Sequence, residues 1–214
     1  MSDAPVKAME SVAKLFEEKI IASASGFWVD THNYHVYRPV IIGTTAMPLD
    51  FYLLNAEQAR TIGGELELRA LPCEFFEFRV VAGYQHATFE DFSTPDGLNF
   101  DGNDINFVPE FTIDASVTAR AKSGVYATVG VTAVGDYWFD EANTEKQNAF
   151  ALLHARVGWQ GKNFGVAIFG RNLTEEHYYA NALNLGLRTG FLNGFFVGTP
   201  GDPLTFGGEI SVRF

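Results

Sequence analysis

The sequence is short of cysteine, of basic residues and of long apolar runs. Its one cysteine, Cys73, excludes an intrachain disulfide and a thiolate metal cluster. Fifteen basic residues against 26 acidic ones give a net charge of −11 and form no basic cluster, which argues against a nucleic-acid partner. No run approaches the roughly 20 apolar residues of a membrane-spanning helix. The N-terminus has no basic segment followed by an apolar one, so no signal peptide is predicted in the sequence shown.

Apolar and turn-forming residues are abundant instead. The chain is 47% hydrophobic and contains 21 glycines and 20 phenylalanines, a composition that favours a β-rich protein with many turns. The mean hydropathy of 0.00 does not exclude a membrane protein, because the strands of a membrane barrel hide half of their residues from lipid.

The last stretch of the chain alternates strictly between two kinds of residue. One side carries Phe206, Gly208, Ile210, Val212 and Phe214, which is the period of two expected of a strand with one apolar face. A strand that ends on a C-terminal phenylalanine resembles the closing strand of a bacterial outer-membrane barrel, where this ending resembles the signal read by the barrel-insertion machinery. The alternative is a half-buried terminal strand of a soluble domain.

The same alternation recurs upstream and predicts eight strands, at 20–38, 55–70, 75–90, 109–121, 125–137, 148–159, 164–172 and 204–214. Short turns alternate with long connections along the chain, the long ones being about 39–54, 91–108, 138–147 and 173–203. This alternation is typical of a transmembrane barrel, with its tight periplasmic turns and long extracellular loops. We therefore predict an all-β, antiparallel, up-and-down transmembrane barrel of about eight strands over residues 20–214. Strand 20–38 would close the ring against strand 204–214.

The two faces of these strands differ in charge. One face is nearly free of charge, and many of its residues are too small to fill a soluble core. The other face carries five acids, six arginines and a histidine, and is predicted to be a charge network in the barrel lumen: Glu65, Glu67, Arg69, Glu77, Arg79, Asp114, Arg120, His154, Arg156, Arg171, Glu209 and Arg213.

Residues 1–19 show a different pattern. Val6, Met9, Ala13, Phe16 and Ile20 recur at helical spacing, which predicts a short amphipathic helix or a disordered segment before the barrel. Such a helix could lie on a membrane, block a barrel mouth, or be the remnant of a longer chain.

Several motifs resemble those of one family. Four stretches resemble, in order, the barrel motifs of TonB-dependent outer-membrane receptors. They are Asn55-Ala56-Glu57 followed by Gly63-Gly64-Glu65-Leu66-Glu67-Leu68, then Val108-Pro109, then Gly170-Arg171-Asn172-Leu173-Thr174, and finally Tyr178-Tyr179. The resemblance implies a barrel wall for the uptake of siderophores, vitamins or glycans. It also implies an N-terminal plug, a TonB box and 22 strands, for which this sequence has no room. The chain is then a fragment, one part of a split receptor, or a small barrel closed on itself.

The remaining polar residues predict no enzyme. No catalytic constellation is apparent, and we predict no metal and no cofactor. His32 and His35 fall on opposite faces of a strand, while Asp91, Asp96, Asp101 and Asp104 crowd one loop without matching calcium-loop spacing. Aromatic residues of the last long loop are possible ligand contacts: Tyr178, Tyr179, Phe191, Phe195 and Phe196.

These observations predict location and partners. We expect the protein to lie in the cell outer membrane. Its expected partners are membrane lipid, the barrel-insertion machinery, and other envelope proteins or the missing part of a receptor. Two alternative functions are a small structural or interaction barrel that docks in an envelope complex, and a soluble ligand-binding barrel.

Overall fold

The computed structural model describes residues 6–15, 19–41, 49–95, 97–184 and 196–213, and throughout these ranges the chain is all-β, with thirteen strands. Nine of the strands form one antiparallel sheet: β1 (Val6–Leu15), β2 (Ile20–Ile41), β3 (Leu49–Cys73), β4 (Phe76–Asp91), β5 (Phe111–Arg120), β6 (Val125–Val134), β9 (Phe150–Gln160), β10 (Phe164–Arg171) and β13 (Thr205–Val212). Each strand pairs with its neighbours in chain order, as expected of an up-and-down wall. No helix long and apolar enough to span a bilayer occurs in the described ranges.

Four short strands lie within the long connections. β7 (Tyr137–Trp138) pairs with β8 (Lys146–Gln147) between β6 and β9. β11 (Tyr179–Asn184) pairs with β12 (Phe196–Pro200) between β10 and β13. The sequence did not predict either hairpin, because strand pairs this short carry little periodicity.

The predicted strands agree with the observed ones to within a few residues, apart from an earlier start of β3. Short connections at 74–75, 121–124 and 161–163 alternate with longer ones at 92–110, 135–149 and 172–204. We call the two ends of the sheet the short-turn end and the long-connection end. Three of the four predicted long connections are confirmed in this way. The predicted connection at about 39–54 is wrong in its bounds, because β2 runs to Ile41 and β3 begins at Leu49, and residues 42–48 lie outside the described part of the chain.

The predicted N-terminal helix is wrong. Residues Val6–Leu15 form strand β1, which pairs with β2 over ten consecutive positions from Val6↔Val29 to Leu15↔Ile20. An isolated helix of this length is marginal in water, roughly 12–15 residues being the lower limit. The neighbouring strand therefore decides the conformation, because it offers a complete hydrogen-bonding edge.

The predicted closure of the ring at eight strands is also wrong. The strand that was expected to close the ring, β2, pairs with β1 and β3, while β13 pairs with β10 alone in the described part of the chain. The sheet is therefore open, with β1 and β13 at its edges.

A buried hydrophobic cluster lies at the long-connection end. Phe89, at the end of β4, and Phe92 are fully buried, and they pack with Phe100 and Ile105 of the following connection. Val36, Ala56 and Ala59 of the long β2–β3 hairpin complete the cluster. The core thus sits under a folded connection rather than between two layers.

Candidate functional site: a two-faced sheet and its folded connections

One face of the sheet, which we call the charged face, carries the residues predicted to line a lumen. Antiparallel register places Glu67, Val81 and Asp114 in one row across β3, β4 and β5, and Arg69, Arg79 and Ser116 in the next. Ion pairs therefore form between strands.

Glu77 is the centre of the clearest charge network. Its two carboxylate oxygens accept from Arg69 Nε at 2.8 Å and from Arg120 Nη2 at 2.9 Å. The Glu77 side chain is only 18% exposed. Arg79 pairs with Glu67 at a longer 3.5 Å, and both of these side chains are about half exposed.

A second network joins β6, β9 and β13. Arg156 Nη2 lies 2.9 Å from Glu209 Oε1, and Arg156 Nε donates to the Tyr126 hydroxyl at 3.0 Å. Nearby, Thr132 Oγ1 donates to Asp114 Oδ2 at 2.8 Å. Tyr126 lies in an apolar stretch, and no sequence pattern indicates that it belongs to this network.

Four predicted members of the charged face stand apart from these ion pairs. His154 lies over Gly130, and the Arg171 guanidinium lies 5.2 Å from the centre of the Phe169 ring. Both line a cavity of about 390 Å³ together with Arg156. Glu65 lines another cavity, of about 440 Å³, beside Ser25 and Gly83. Arg213 bonds through its main chain to Asn163.

The opposite face, which we call the apolar face, exposes its hydrophobic side chains. Ile168, Phe206 and Ile210 are 70%, 71% and 72% exposed. Others on this face are also exposed: Leu66, Phe76, Phe78, Tyr84, Val117, Val125, Val129, Val157, Trp159, Phe164, Val166 and Val212. On β4 the apolar alternation runs from Phe76 to Tyr84, close to the roughly 9–11 residues with which a strand crosses a bilayer.

The apolar face ends in a charged cluster at the long-connection end. Register places Trp28 opposite Ile62, and Asp30 opposite Arg60 in the next row. Asp30 accepts from Trp28 Nε1 at 2.9 Å and from Arg60 Nε at 2.7 Å, and the Arg60 guanidinium lies 5.0 Å over the Trp28 ring. Tryptophan with one apolar and one polar edge suits a boundary between hydrocarbon and water.

Aromatic residues also mark the short-turn end. Trp159 and Phe164 have ring centres 6.4 Å apart, and Trp159 Nε1 donates to the Ser123 carbonyl at 2.8 Å. Lys122 lies 5.6 Å over the Phe75 ring. Both ends of the apolar face therefore carry aromatic side chains with polar partners.

The connections 92–110 and 135–149 are bonded to each other. Asp104 accepts from Trp138 Nε1 at 3.0 Å, and its main-chain N–H donates to Asn143 Oδ1 at 2.7 Å. Asn103 Nδ2 donates to the Glu141 carbonyl at 2.9 Å. The two connections form one folded unit, which we call the connection unit.

Local hydrogen bonds fix the acidic residues of the connection unit. Asp101 accepts from the Phe92 main-chain N–H at 2.7 Å and from Asn99 Nδ2 at 2.9 Å, and these donors, the Phe92 N–H first, lower the pKa of the Asp101 carboxyl. The Lys146 ammonium, 2.9 Å away, lowers the pKa of Asp136. The described residues contain no group of three or more metal-ligating side chains, and Asp96 lies outside them.

The third long connection is anchored by Asn172 and Tyr178. Asn172 is buried, with a positive φ of 49°, and its Nδ2 donates to the carbonyls of Glu176 at 2.9 Å and Asp202 at 3.0 Å. Its Oδ1 accepts from the Glu176 N–H at 2.8 Å. The Tyr178 ring stacks on Phe150 with centres 4.2 Å apart.

The predicted ligand contacts therefore have mixed positions. Tyr178 is half-buried between Phe150 and Gly201, while Tyr179 is 46% exposed beside β7–β8, where Tyr137 Oη donates to its carbonyl at 2.9 Å. Phe196 begins β12, and Phe191 and Phe195 lie outside the described residues. Of the predicted insertion signal, Phe206, Gly208, Ile210 and Val212 lie on β13, and Phe214 is outside the described residues.

Comparison with known proteins identifies the family. The family described as TonB dependent receptor-like, beta-barrel matches residues 10–173, so the chain belongs to this family of outer-membrane receptors. The pesticin receptor of Yersinia pestis is 25% identical over 164 residues, which cover 74% of this chain and 23% of that protein. The pesticin receptor of Yersinia enterocolitica matches equally, so the chain spans about a quarter of the length of these relatives.

Solved structures show the same fold. The ferric yersiniabactin uptake receptor FyuA of Yersinia pestis superposes with a TM-score of 0.73 at 20% identity, over 99% of this chain and 30% of that one. The siderophore receptor PiuA of Acinetobacter baumannii superposes with a TM-score of 0.73 at 16% identity, over 97% of this chain and 28% of that one. The resemblance seen in the sequence motifs is confirmed.

Proposed function

We propose that the chain forms part of the wall of an outer-membrane receptor that takes up ferric siderophores. The division of one sheet into an exposed apolar face and an ion-paired charged face carries the proposal. In this arrangement the apolar face contacts lipid, the charged face lines the lumen, and the long connections are extracellular. A soluble barrel would place its apolar side chains inside, which makes the large exposed apolar face costly in water.

The siderophore class is proposed from the solved relatives. FyuA is named as a ferric yersiniabactin uptake receptor, and BauA of Acinetobacter baumannii as a ferric preacinetobactin receptor. The exposed Tyr179 and the connection unit are the proposed ligand-contacting surface, with Phe191, Phe195 and Phe196 as further candidates. The TonB protein, after which the family is named, is a proposed partner, as is the barrel-insertion machinery reading Phe206 to Phe214.

The open edges favour a larger wall over a closed ring of eight strands. β1 and β13 each lack a second neighbour in the described part of the chain. We propose that further strands, on the same polypeptide or on a partner, pair with these edges. If the chain is recovered from native membranes together with a partner polypeptide, the further strands belong to that partner. The same experiment tests the alternative that the chain docks in an envelope complex.

The membrane assignment is tested on the protein purified in detergent. We expect β-type circular dichroism and a gel mobility that changes on boiling, because a folded membrane β-sheet resists detergent until it is heated. Solubility without detergent, together with a mobility that boiling leaves unchanged, would contradict the proposal.

The uptake assignment is tested by deleting the gene in its own bacterium and restoring it from a plasmid. Under iron limitation we expect deletion to abolish uptake of one radiolabelled ferric siderophore in a panel of catecholate, hydroxamate and mixed-ligand types. The restored strain should recover uptake of that siderophore, and uptake of the other panel members should be the same in the deleted and restored strains. Equal uptake of every panel member by the deleted and restored strains would contradict the siderophore assignment and leave the membrane assignment standing.

A further inference from the structure

A cavity of about 390 Å³ lies on the charged face at the long-connection end, where β6, β9 and β10 lie side by side. Its lining includes Thr128 and Thr132 of β6, His154 and Arg156 of β9, and Phe169 and Arg171 of β10. A cavity of roughly 300–1,000 Å³ is of the size that holds a small ligand.

Two large side chains lean away from each other and open this cavity. His154 of β9 lies over Gly130, its partner on β6, and Phe169 of β10 lies over Gly207, its partner on β13. Because the strands follow one another in the order β6, β9, β10 and β13, these two side chains tilt toward opposite neighbours. The space above β9 and β10 therefore stays open between them.

The two arginines of the cavity differ in their partners. The Arg156 guanidinium is bonded to Glu209 and to the Tyr126 hydroxyl. Arg171 forms no ion pair within the described residues, and its guanidinium lies 5.2 Å from the centre of the Phe169 ring. A guanidinium binds oxyanions through paired N–H donors, so Arg171 is the cation of this cavity that an anionic ligand can bind.

The main chain around Arg171 is held on both sides. Arg171 pairs with Thr205 of β13, and the residue that follows it, Asn172, is buried and bonds to the main chain of Glu176 and Asp202. A donor on a fixed backbone binds its ligand with a smaller loss of conformational freedom.

We propose that this cavity binds the anionic part of the ligand through Arg171, so that the receptor favours ferric complexes of net negative charge. The inference rests on the proposed function and adds the charge of the ligand to it. Asp202 also borders the cavity and forms no ion pair with Arg171 within the described part of the chain. Its carboxylate repels an anion, so removing the charge of Asp202 should act in the opposite direction to removing that of Arg171.

The test is equilibrium dialysis of the full chain, purified in detergent together with any polypeptide that accompanies it. The probes are the ferric complex of catechol, which is anionic, the ferric complex of acetohydroxamic acid, which is uncharged, and catechol without iron. We expect wild type to bind the anionic complex about tenfold more tightly than either other probe. Arg171→Gln should remove this preference, a loss of the size expected for a hydrogen bond to a charged group. Arg171→Lys keeps the charge and should keep most of the preference.

Two further variants separate this site from the general charge of the lumen. Asp202→Asn should bind the anionic complex more tightly than wild type does. Arg79→Gln removes an arginine of the charged face that does not line the cavity, and should bind all three probes as wild type does. Heat-modifiable mobility reports the folding of each variant, and Arg171→Lys and Asp202→Asn keep the test valid if Arg171→Gln does not fold.

Three results would overturn the inference: equal binding of the anionic complex by wild type and the Arg171 and Asp202 variants, binding of iron-free catechol as tight as that of its ferric complex, and a folded wild type that binds no probe. The uptake assignment is judged separately by the deleted and restored strains. Uptake of an uncharged ferric siderophore alone would therefore contradict the preference for anionic complexes and leave the uptake assignment standing.

Discussion

Asn172 shows how one side chain can hold a long connection in place. It is 3% exposed, and its amide bonds to one N–H and two carbonyls of the main chain at Glu176 and Asp202. Asparagine also tolerates the positive φ of 49° better than most residues. The residue therefore combines a backbone role with a hydrogen-bonding role.

Replacing Asn172 should loosen connection 172–204. We expect Asn172→Ala to lower the free energy of unfolding by about 1–3 kcal/mol, because three hydrogen bonds to the main chain are lost and alanine disfavours a positive φ. Urea unfolding in detergent measures the loss, and hydrogen exchange at Glu176 locates it. Asn172→Gly removes the same hydrogen bonds, but glycine accepts a positive φ. Its free energy of unfolding should therefore lie between those of wild type and Asn172→Ala. An alanine variant as stable as wild type would contradict the assigned role.

Asp101 should make the connection unit sensitive to acid. Its pKa lies below the ordinary value of 3.8 because the Phe92 N–H and the Asn99 amide bind the ionised form. A lowered folded pKa gives a stabilising contribution that is present above pH 3.8 and is lost as the pH falls through the folded value. The melting temperature of Asp101→Asn should therefore lie below that of wild type at neutral pH, and the difference should shrink below pH 3.8. A difference independent of pH would contradict this.

Sequence alternation was enough to assign single residues to a face, but it could not pair them. Strand parity alone predicts one face for Glu77, Arg69 and Arg120, and Glu77 accepts hydrogen bonds from both arginines. Their contact depends on the register of three strands, which is a tertiary property. Tyr126 was missed because a tyrosine in an apolar stretch gives no sign that an arginine from another strand will reach its hydroxyl.

At the scale of the strand, the two ion pairs of β3 and β4 should differ in strength. Glu77 is the largely buried acceptor of two guanidiniums, whereas Arg79 and Glu67 are both half exposed and 3.5 Å apart. We expect Glu77→Leu to cost about 2–3 kcal/mol of unfolding free energy, because Arg69 and Arg120 lose their acceptor. Arg79→Leu, the matched control, should cost less than about 1 kcal/mol.

Urea unfolding of both variants under one condition makes the comparison. An equal loss of unfolding free energy in Glu77→Leu and Arg79→Leu would contradict the expectation that the less exposed pair is the stronger one. Glu77→Gln keeps one acceptor oxygen and removes the charge. Its free energy of unfolding should lie between those of wild type and Glu77→Leu.

The longer a strand and the more regular its alternation of apolar and polar residues, the better its type and bounds were predicted from the sequence. Strands such as β4 and β6 have long, regular patterns, and their bounds followed from the sequence to within a few residues. β1 was mistaken for a helix because Val6, Met9 and Ala13 fit a period near 3.6, and only the edge of β2 decides otherwise. The hairpin β7–β8 is too short to carry any period.

At the scale of the whole molecule, the sequence predicted a wall but not its extent. Alternating connection lengths and two unlike faces are local properties that add up to an up-and-down sheet. Closure depends on which strands meet at the seam, and no pattern within β1 or β13 specifies a partner. The open sheet and the superposition on about 30% of FyuA therefore supply what the sequence could not.

The connection unit has a consequence for how such a receptor diversifies. Asp104, Asn103 and Phe107 on one connection bond to Trp138, Asn143 and Glu141 on the other, so we expect each connection to depend on the other for its shape. A chimera that receives 92–110 from a relative should misfold at its surface, whereas one that receives 92–110 and 135–149 together should bind conformation-sensitive antibodies raised against the donor. Recombination at this surface would then be inherited in blocks, with two distant stretches of the gene passing between lineages as one allele.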